Sequence, residues 1–245
     1  MVKILKSEIC GEIVIGRNAI NYLSRILNEI DPYKIGVVTS RSVATLWMKV
    51  LLENTKRSID QIFVLPDGEE AKSLGNVIDL WRRLIYSKFT RKSLLISFGG
   101  GAICDVVGFV ASTYMRGIGL INIPTTLLSQ IDAAIGGKTG IDFEGKNIIG
   151  TFYPPNAVIV DPMFLETLPD DEFKSGMAEI IKYGIINNSN LLEKIESNLD
   201  RILVRDSRIL EEIIQDCIRI KVNIVERDFK EKDLRMILNL SLIHI

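Results

Sequence analysis

Along residues 12–161 two hydrophobic periods alternate, and this alternation limits the chain to few architectures. Short β-branched runs, "EIVIG", "KIGVVT", "IDQIFVL", "SLLISF", "LINIP" and "AVIVD", end mostly on Gly, Pro, Asp or Thr, as buried strands do. Between them, amphipathic patterns cover residues 19–30, 43–52, 74–86 and 103–114. Strands separated by helices of that length are joined by right-handed crossovers, which gives a largely parallel sheet with helices on its faces. The chain is therefore predicted to be α/β, with a Rossmann-like N-terminal domain over residues 1–168. After "LETLPDDEF" the strand patterns stop, and helical ones continue over residues 173–186 and 209–225. Residues 169–245 read as an incomplete all-α C-terminal domain, too small for its own core and so leaning on the sheet.

Composition removes several function classes. Lys and Arg total 30 against 31 Asp and Glu, a formal charge of −1, so there is no overall basic field to collect nucleic acid or an anionic membrane. Cys10, Cys104 and Cys217 are odd in number and far apart, which excludes a C-x-x-C motif and argues against a disulfide framework. A reducing cytoplasm fits. The longest uncharged stretch, "GIGLINIPTTLLSQI", is too short and too polar to span a bilayer.

Residues that carry chemistry gather at the strand ends. "SFGGGAICD" sets Gly99, Gly100 and Gly101 between a strand and a helix, where glycine lets the backbone approach a pyrophosphate and the helix start offers free N–H groups. The spacing matches neither standard nucleotide motif, so a plain tight turn is the alternative. In "PDGEEAKS", Asp67, Glu69 and Lys72 are placed to meet ribose hydroxyls and phosphate, or to form a solvated turn. Thr125 and Thr126 in "IPTTLLSQ" suit a ligand or a helix cap. "QIDAAIGGKTGIDFEGKN" holds Asp132, Lys138, Lys146 and Asn147 among glycines, a composition suited to a phosphate and also to a charged loop. Glu179 and Lys182 in "GMAEIIKYG" share one side of a helix, as a site or as an exposed ion pair. Arg116 in "YMRG" offers a bidentate contact or only a surface charge, and Lys221, Arg235 and Asn239 nearer the end read by default as a basic amphipathic face.

Taken together and in this order, these segments resemble the 3-dehydroquinate synthases, a family of sugar phosphate cyclases, over residues 11–240. The likeness is densest in "PDGEEAKSL", "GGGAICDVVGF", "STYMRGIGLINIPTTLLSQIDAAIGGKTGI", "GKNIIGTFYPP" and "GMAEIIKYG". It implies NAD held by Asp67, Gly68, Glu69, Glu70, Ala71 and Lys72, by Gly100, Gly101, Ala102, Ile103, Cys104 and Asp105, and by Thr125 and Thr126. Lys138, Lys146, Phe164, Leu165, Glu166 and Thr167 complete the implied cofactor set. It implies a divalent metal, zinc or cobalt, with Glu179 as one ligand. Asp132, Lys138, Asn147, Lys182, Lys221, Arg235 and Asn239 would line the substrate, and Arg116 would act across a homodimer interface. The implied reaction converts 3-deoxy-D-arabino-heptulosonate 7-phosphate to 3-dehydroquinate and phosphate, in the shikimate route to aromatic amino acids, by transient oxidation, elimination, reduction and aldol closure.

Three departures from the family pattern carry expectations of their own. "TSRSV" has Ser40 and Ser42 where an acid and an asparagine are usual, which predicts a ribose site without its carboxylate. Cys104 stands at a position usually small, and is expected to crowd the pyrophosphate turn. Beyond "LNL" the family continues into a "GHT-GHA" run that supplies metal-binding histidines, whereas Ser241 and Leu242 occupy those places here. His244, the single histidine, is out of register with them. The tail is thus expected to reflect a frameshift or premature stop, with an incomplete metal site and impaired activity. A non-catalytic NAD-binding fragment and a metal-dependent polyol dehydrogenase stay open as other readings.

Overall fold

The computed structural model of the chain describes residues 2–187 and 189–239. The elements run β1 (Lys3–Ser7), β2 (Gly11–Ile15), α1 (Leu23–Ile30), β3 (Ile35–Ser40), α2 (Arg41–Thr55), β4 (Gln61–Leu65), α3 (Leu74–Tyr86), β5 (Leu94–Gly99), α4 (Gly101–Thr113) and β6 (Gly119–Pro124). They continue with β7 (Lys138–Ile141), β8 (Ile149–Phe152), β9 (Ala157–Val160), α5 (Asp170–Asn187), α6 (Ser189–Ser197), α7 (Leu199–Leu203) and α8 (Ser207–Arg227).

A seven-stranded sheet in the order β1-β2-β9-β6-β5-β3-β4 forms the centre. All of its neighbours are parallel except β1 and β2. The apolar alternation explains how helices cover both faces. On β5, Leu94, Ile96 and Phe98 join the cluster under α1 and α2, whereas Leu95 joins the cluster under α3 and α4. Strands β3, β5 and β9 are buried along their whole length, and each such aliphatic side chain contributes about 1.5–3 kcal/mol. Because α2 follows β3 onto one face and α4 follows β5 onto the other, the chain reverses its winding between these neighbouring strands. Open α/β sheets bind ligands above the carboxyl ends of such a switch point.

The helical part shares a core with the sheet. Ile180 and Tyr183 of α5, and Ile213, Ile214 and Ile218 of α8, pack with Ile13, Ile15, Val158 and Val160. Helix α8 opens on Asp206, whose side chain accepts from the N–H groups of Arg208 and Ile209, a standard N-cap. The hairpin β7–β8 lies against α4, where Gly108 permits the approach: a Cβ there would stand 2.3 Å from Thr139 Cγ2. Elements absent from the sequence expectation are β1, the β7–β8 hairpin, α6 and α7. No helix among the described residues is long and apolar enough to cross a membrane.

Candidate active site

The switch point carries the glycine turn. Gly100 caps α4 with no side-chain hydrogen bond, so the first-turn N–H groups are left for a ligand. Beside it, a Cβ on Gly100 would stand 3.0 Å from Thr126 Cγ2, and one on Gly101 would stand 3.3 Å from Ala133 Cβ. Thr126 and Ser129 hydroxyls bond each other at 2.8 Å. Bare backbone at a helix start fits the pyrophosphate of a dinucleotide.

At the end of β3, Ser42 meets a carboxylate that arrives from beyond β4. Asp67 Oδ1 accepts from the Ser42 N–H at 3.1 Å and from the Ser42 hydroxyl at 2.5 Å. Burial works to raise this carboxyl, but hydrogen bonds from Ser42 and Ser40 hold it below its ordinary value. Cys104 turns its side chain into the core, with Sγ 3.9 Å from the Gly99 carbonyl, and burial pushes the thiol up to about 12. Ala71, Ile103, Phe164 and Leu165 are core residues too, so at these predicted cofactor positions only the backbone is on offer. Lys72 is also interior. Its ammonium donates to Asp105 Oδ2 at 2.9 Å and to Asn147 Oδ1, and burial outweighs Lys72 in raising the Asp105 carboxyl to about 6.

Next to the turn opens a cleft of about 510 Å³, lined among others by Asp105, Asp132, Lys138, Asn147, Lys221 and Arg235. A smaller hollow of about 170 Å³ shares Asp132, Lys138, Lys221 and Arg235 and adds Glu179, Lys182 and Asn239. Asp132 sits in the π-type turn Ser129–Ala133 after β6. Its Oδ1 accepts from Lys221 Nζ and from the Tyr183 hydroxyl. Burial acts to raise this carboxyl, but the Lys221 charge prevails and holds it at about 2. Burial in turn lowers Lys221.

Arg235 is 1% exposed. Its Nη1 donates to the carbonyls of Gly136 at 3.0 Å and Phe229 at 2.7 Å, while Nε and Nη2 have no hydrogen-bond partner among the described residues. Gly136, at φ 96°, makes this seat possible, since a Cβ there would stand 2.6 Å from Nη2. Unsatisfied guanidinium donors in a cleft wall call for an anion. Glu231 was missed by sequence reasoning: it pairs with Lys138 and accepts from Asn239 Nδ2 at 2.7 Å. It hides in the charge run "ERDFKEKD", and only its position four before Arg235 hinted at a role.

The remaining candidates divide. Lys182 forms an ion pair with half-buried Glu179 and donates to the Leu238 carbonyl at 2.6 Å. Lys146 pairs with Glu69 at 3.0 Å on the surface. Glu166 is tied to Arg17 at 3.3 Å, and Thr167 accepts from Trp47 at 2.9 Å. Arg116 is exposed beyond the far end of α4, roughly 20 Å from the glycine turn by helix length, so the fold does not bring it into the cleft. For a metal, the resemblance implies Glu179 as a donor, but no three His, Cys, Asp or Glu side chains among the described residues converge. The described residues therefore do not fit a metal by themselves. His244 and Leu242 lie outside the described residues.

The depressed Asp132 sets an acid limb. Its folded-state value is about 2 against an ordinary 3.8, so it stabilises the fold above pH 3.8 and that contribution is lost as pH falls toward 2. The amount is about 2 kcal/mol. Urea denaturation of the wild type and of Asp132→Asn is expected to show a stability difference that shrinks by this amount between pH 5 and pH 2. A difference independent of pH would show that the carboxylate is not held by its charge.

Comparison with known proteins places this geometry. The profile of the 3-dehydroquinate synthase N-terminal region matches residues 62–175, and that of the C-terminal region matches residues 176–241. The chain is 48% identical over 221 residues to 3-dehydroquinate synthase of Pyrococcus abyssi, covering 89% of this chain and 64% of that one. It thus spans less than two thirds of that relative. Among solved structures, 2-deoxy-scyllo-inosose synthase complexed with carbaglucose-6-phosphate, NAD+ and Co2+ superposes with TM-score 0.85 at 26% identity, over 98% of this chain and 67% of that chain. 2-Epi-5-epi-valiolone synthase from Streptomyces hygroscopicus subsp. jinggangensis 5008, with NAD+ and Zn2+ bound, gives 0.84 at 26%, with the same coverage of 98% and 67%. With the two profiles together matching residues 62–241 and the identity to the Pyrococcus abyssi synthase at 48%, the chain belongs to the 3-dehydroquinate synthase family.

Proposed function

We propose that the chain works as a 3-dehydroquinate synthase, taking 3-deoxy-D-arabino-heptulosonate 7-phosphate to 3-dehydroquinate and inorganic phosphate with NAD as a regenerated cofactor. The observation that carries this reading is the meeting of Asp132, Lys138, Lys221 and Arg235 in one cleft beside an open helix start. A phosphorylated keto acid has two anionic ends and a row of hydroxyls, and the cleft offers cations for the former and a carboxylate for the latter. NAD fits the bare turn at Gly100 and Gly101, with Thr125 and Thr126 beside it and Asp67 toward the ribose. When bound it supplies a reversible hydride acceptor.

Each residue then has a task. Arg235 and Lys221 hold the carboxylate end, and Lys138 and Lys146 keep positive charge near phosphate. Asn147 and Asn239 orient hydroxyls, and Asp132 and Lys182 relay the proton lost from the carbon adjacent to the one that bears the leaving phosphate. Glu179 would be this chain's donor to a divalent metal. Arg116 would reach a second copy in a homodimer, and the three unpaired cysteines suit work in the cytoplasm. Domain limits of 1–168 and 169–245 follow from the change from strands to helices.

The test is to incubate the protein with the heptulosonate phosphate, NAD and zinc or cobalt. Phosphate release without net NADH is expected. Accumulating NADH would favour a polyol dehydrogenase, and NAD binding without phosphate release would favour a binding fragment.

A further inference from the structure

The tasks assigned above leave a buried phenol beside the cleft unused. Tyr183 is 0% exposed and follows Lys182 on α5. Phenylalanine would fill the same space, whereas a buried O–H without a partner costs about 1–3 kcal/mol. Here the hydroxyl donates to Asp132 Oδ1 at 2.8 Å, with the Ile131 carbonyl farther off at 3.4 Å. Lys221 donates to the same oxygen from α8. Among the described residues, no hydrogen bond reaches Oδ2.

Two donors from different helices on one carboxylate oxygen fix the rotation of the group, which a single donor would leave loose. Asp132 lines the cleft with its side chain 29% exposed, so the oxygen without a donor is the one left for a ligand. We propose that Tyr183 is a positioning residue, which with Lys221 pins Oδ1 of Asp132 and so holds Oδ2 as the acceptor for a hydroxyl of a polyhydroxylated, anionic substrate. The proposal rests on the synthase reading for the identity of that substrate, but not for the hydrogen bond itself. The charged groups around Asp132 are Lys221 on α8, Glu179 and Lys182 on α5, Lys138 on β7, Asp105 on α4, and Glu231 and Arg235 after α8, and Tyr183→Phe leaves all of them in place.

The test follows the Asp132 side-chain carboxyl by 13C NMR, assigned against Asp132→Asn. In Tyr183→Phe its titration midpoint is expected to rise by about one pH unit, the effect of losing one hydrogen bond to a charged group. A purely structural role would move the denaturation midpoint and leave this carboxyl alone, and an unmoved carboxyl overturns the proposal. If Tyr183→Phe fails to fold, the reciprocal measurement decides. Removing the Asp132 charge in Asp132→Asn is expected to lower the Tyr183 phenol titration, and an unchanged phenol overturns the proposal as well. The two readings fail separately: absent phosphate release with a shifted carboxyl sinks the synthase reading alone, whereas normal release with an unmoved carboxyl sinks only the role of Tyr183.

Discussion

Asp132→Asn is expected to lower the rate of phosphate release by about a hundredfold or more, with NAD binding unchanged. The substitution is nearly isosteric. The amide oxygen can stay where Oδ1 now accepts from Tyr183 and Lys221, so both anchors to the helices persist. What changes is the other atom: an NH2 donor that takes up no proton replaces the free oxygen facing the cleft. Circular dichroism and NAD titration of the variant should match the wild type at neutral pH while stopped-time phosphate assays fall. A variant that keeps more than half the rate would remove Asp132 from the proton relay and leave it an orienting group.

The sequence showed the parts of this fold in which burial dictates residue type. β3, β5 and β9 are enclosed on both faces and so are built on consecutive apolar residues with few polar side chains and none charged, a pattern that needs no neighbour to be read. β1, "KILKS", lies at the sheet edge with its lysines exposed, and its pairing with β2 depends on a partner that periodicity does not reveal. The β7–β8 hairpin is rich in glycine and hydroxyls because it packs tightly on α4 at Gly108, and such a composition reads as loop. The site divides in the same way. Resemblance could name Asp132, Lys221 and Arg235 as neighbours, but the Asp67–Ser42 contact joins the ends of two strands and exists only after folding. Lys72 reads as a phosphate contact or part of a solvated turn, because nothing local marks it as interior. Its partners Asp105 and Asn147 arrive from α4 and from the hairpin.

Lys72→Met is expected to destabilise the fold by about 3–5 kcal/mol at pH 8. The lysine side chain is 2% exposed and its ammonium stands 2.9 Å from Asp105, 3.6 Å from Glu69 and 3.9 Å from Asp142, so methionine fills the space but removes a cation shared by three carboxylates, leaving only the surface pair of Lys146 with Glu69 nearby among the described residues. The sign of the pH dependence follows from Asp105. Its folded-state value of about 6 lies above the ordinary 3.8, so ionisation of Asp105 already costs stability as pH rises through that range, and Lys72 limits the cost. Without Lys72 the carboxyl titrates still higher. At pH 5 it is protonated with or without the lysine and the charge pair is absent from both proteins; at pH 8 it is ionised in the wild type and uncompensated in the variant. The stability difference should therefore grow between pH 5 and pH 8, and Asp105→Asn combined with Lys72→Met should cancel most of the growth. Because Lys72 also holds Asn147, amide exchange in residues 142–148 is expected to quicken in the variant, loosening the hairpin that brings Lys138 and Asn147 to the cleft. Equal losses at both pH values would mean that Lys72 acts through packing and that the cleft wall does not depend on its charge.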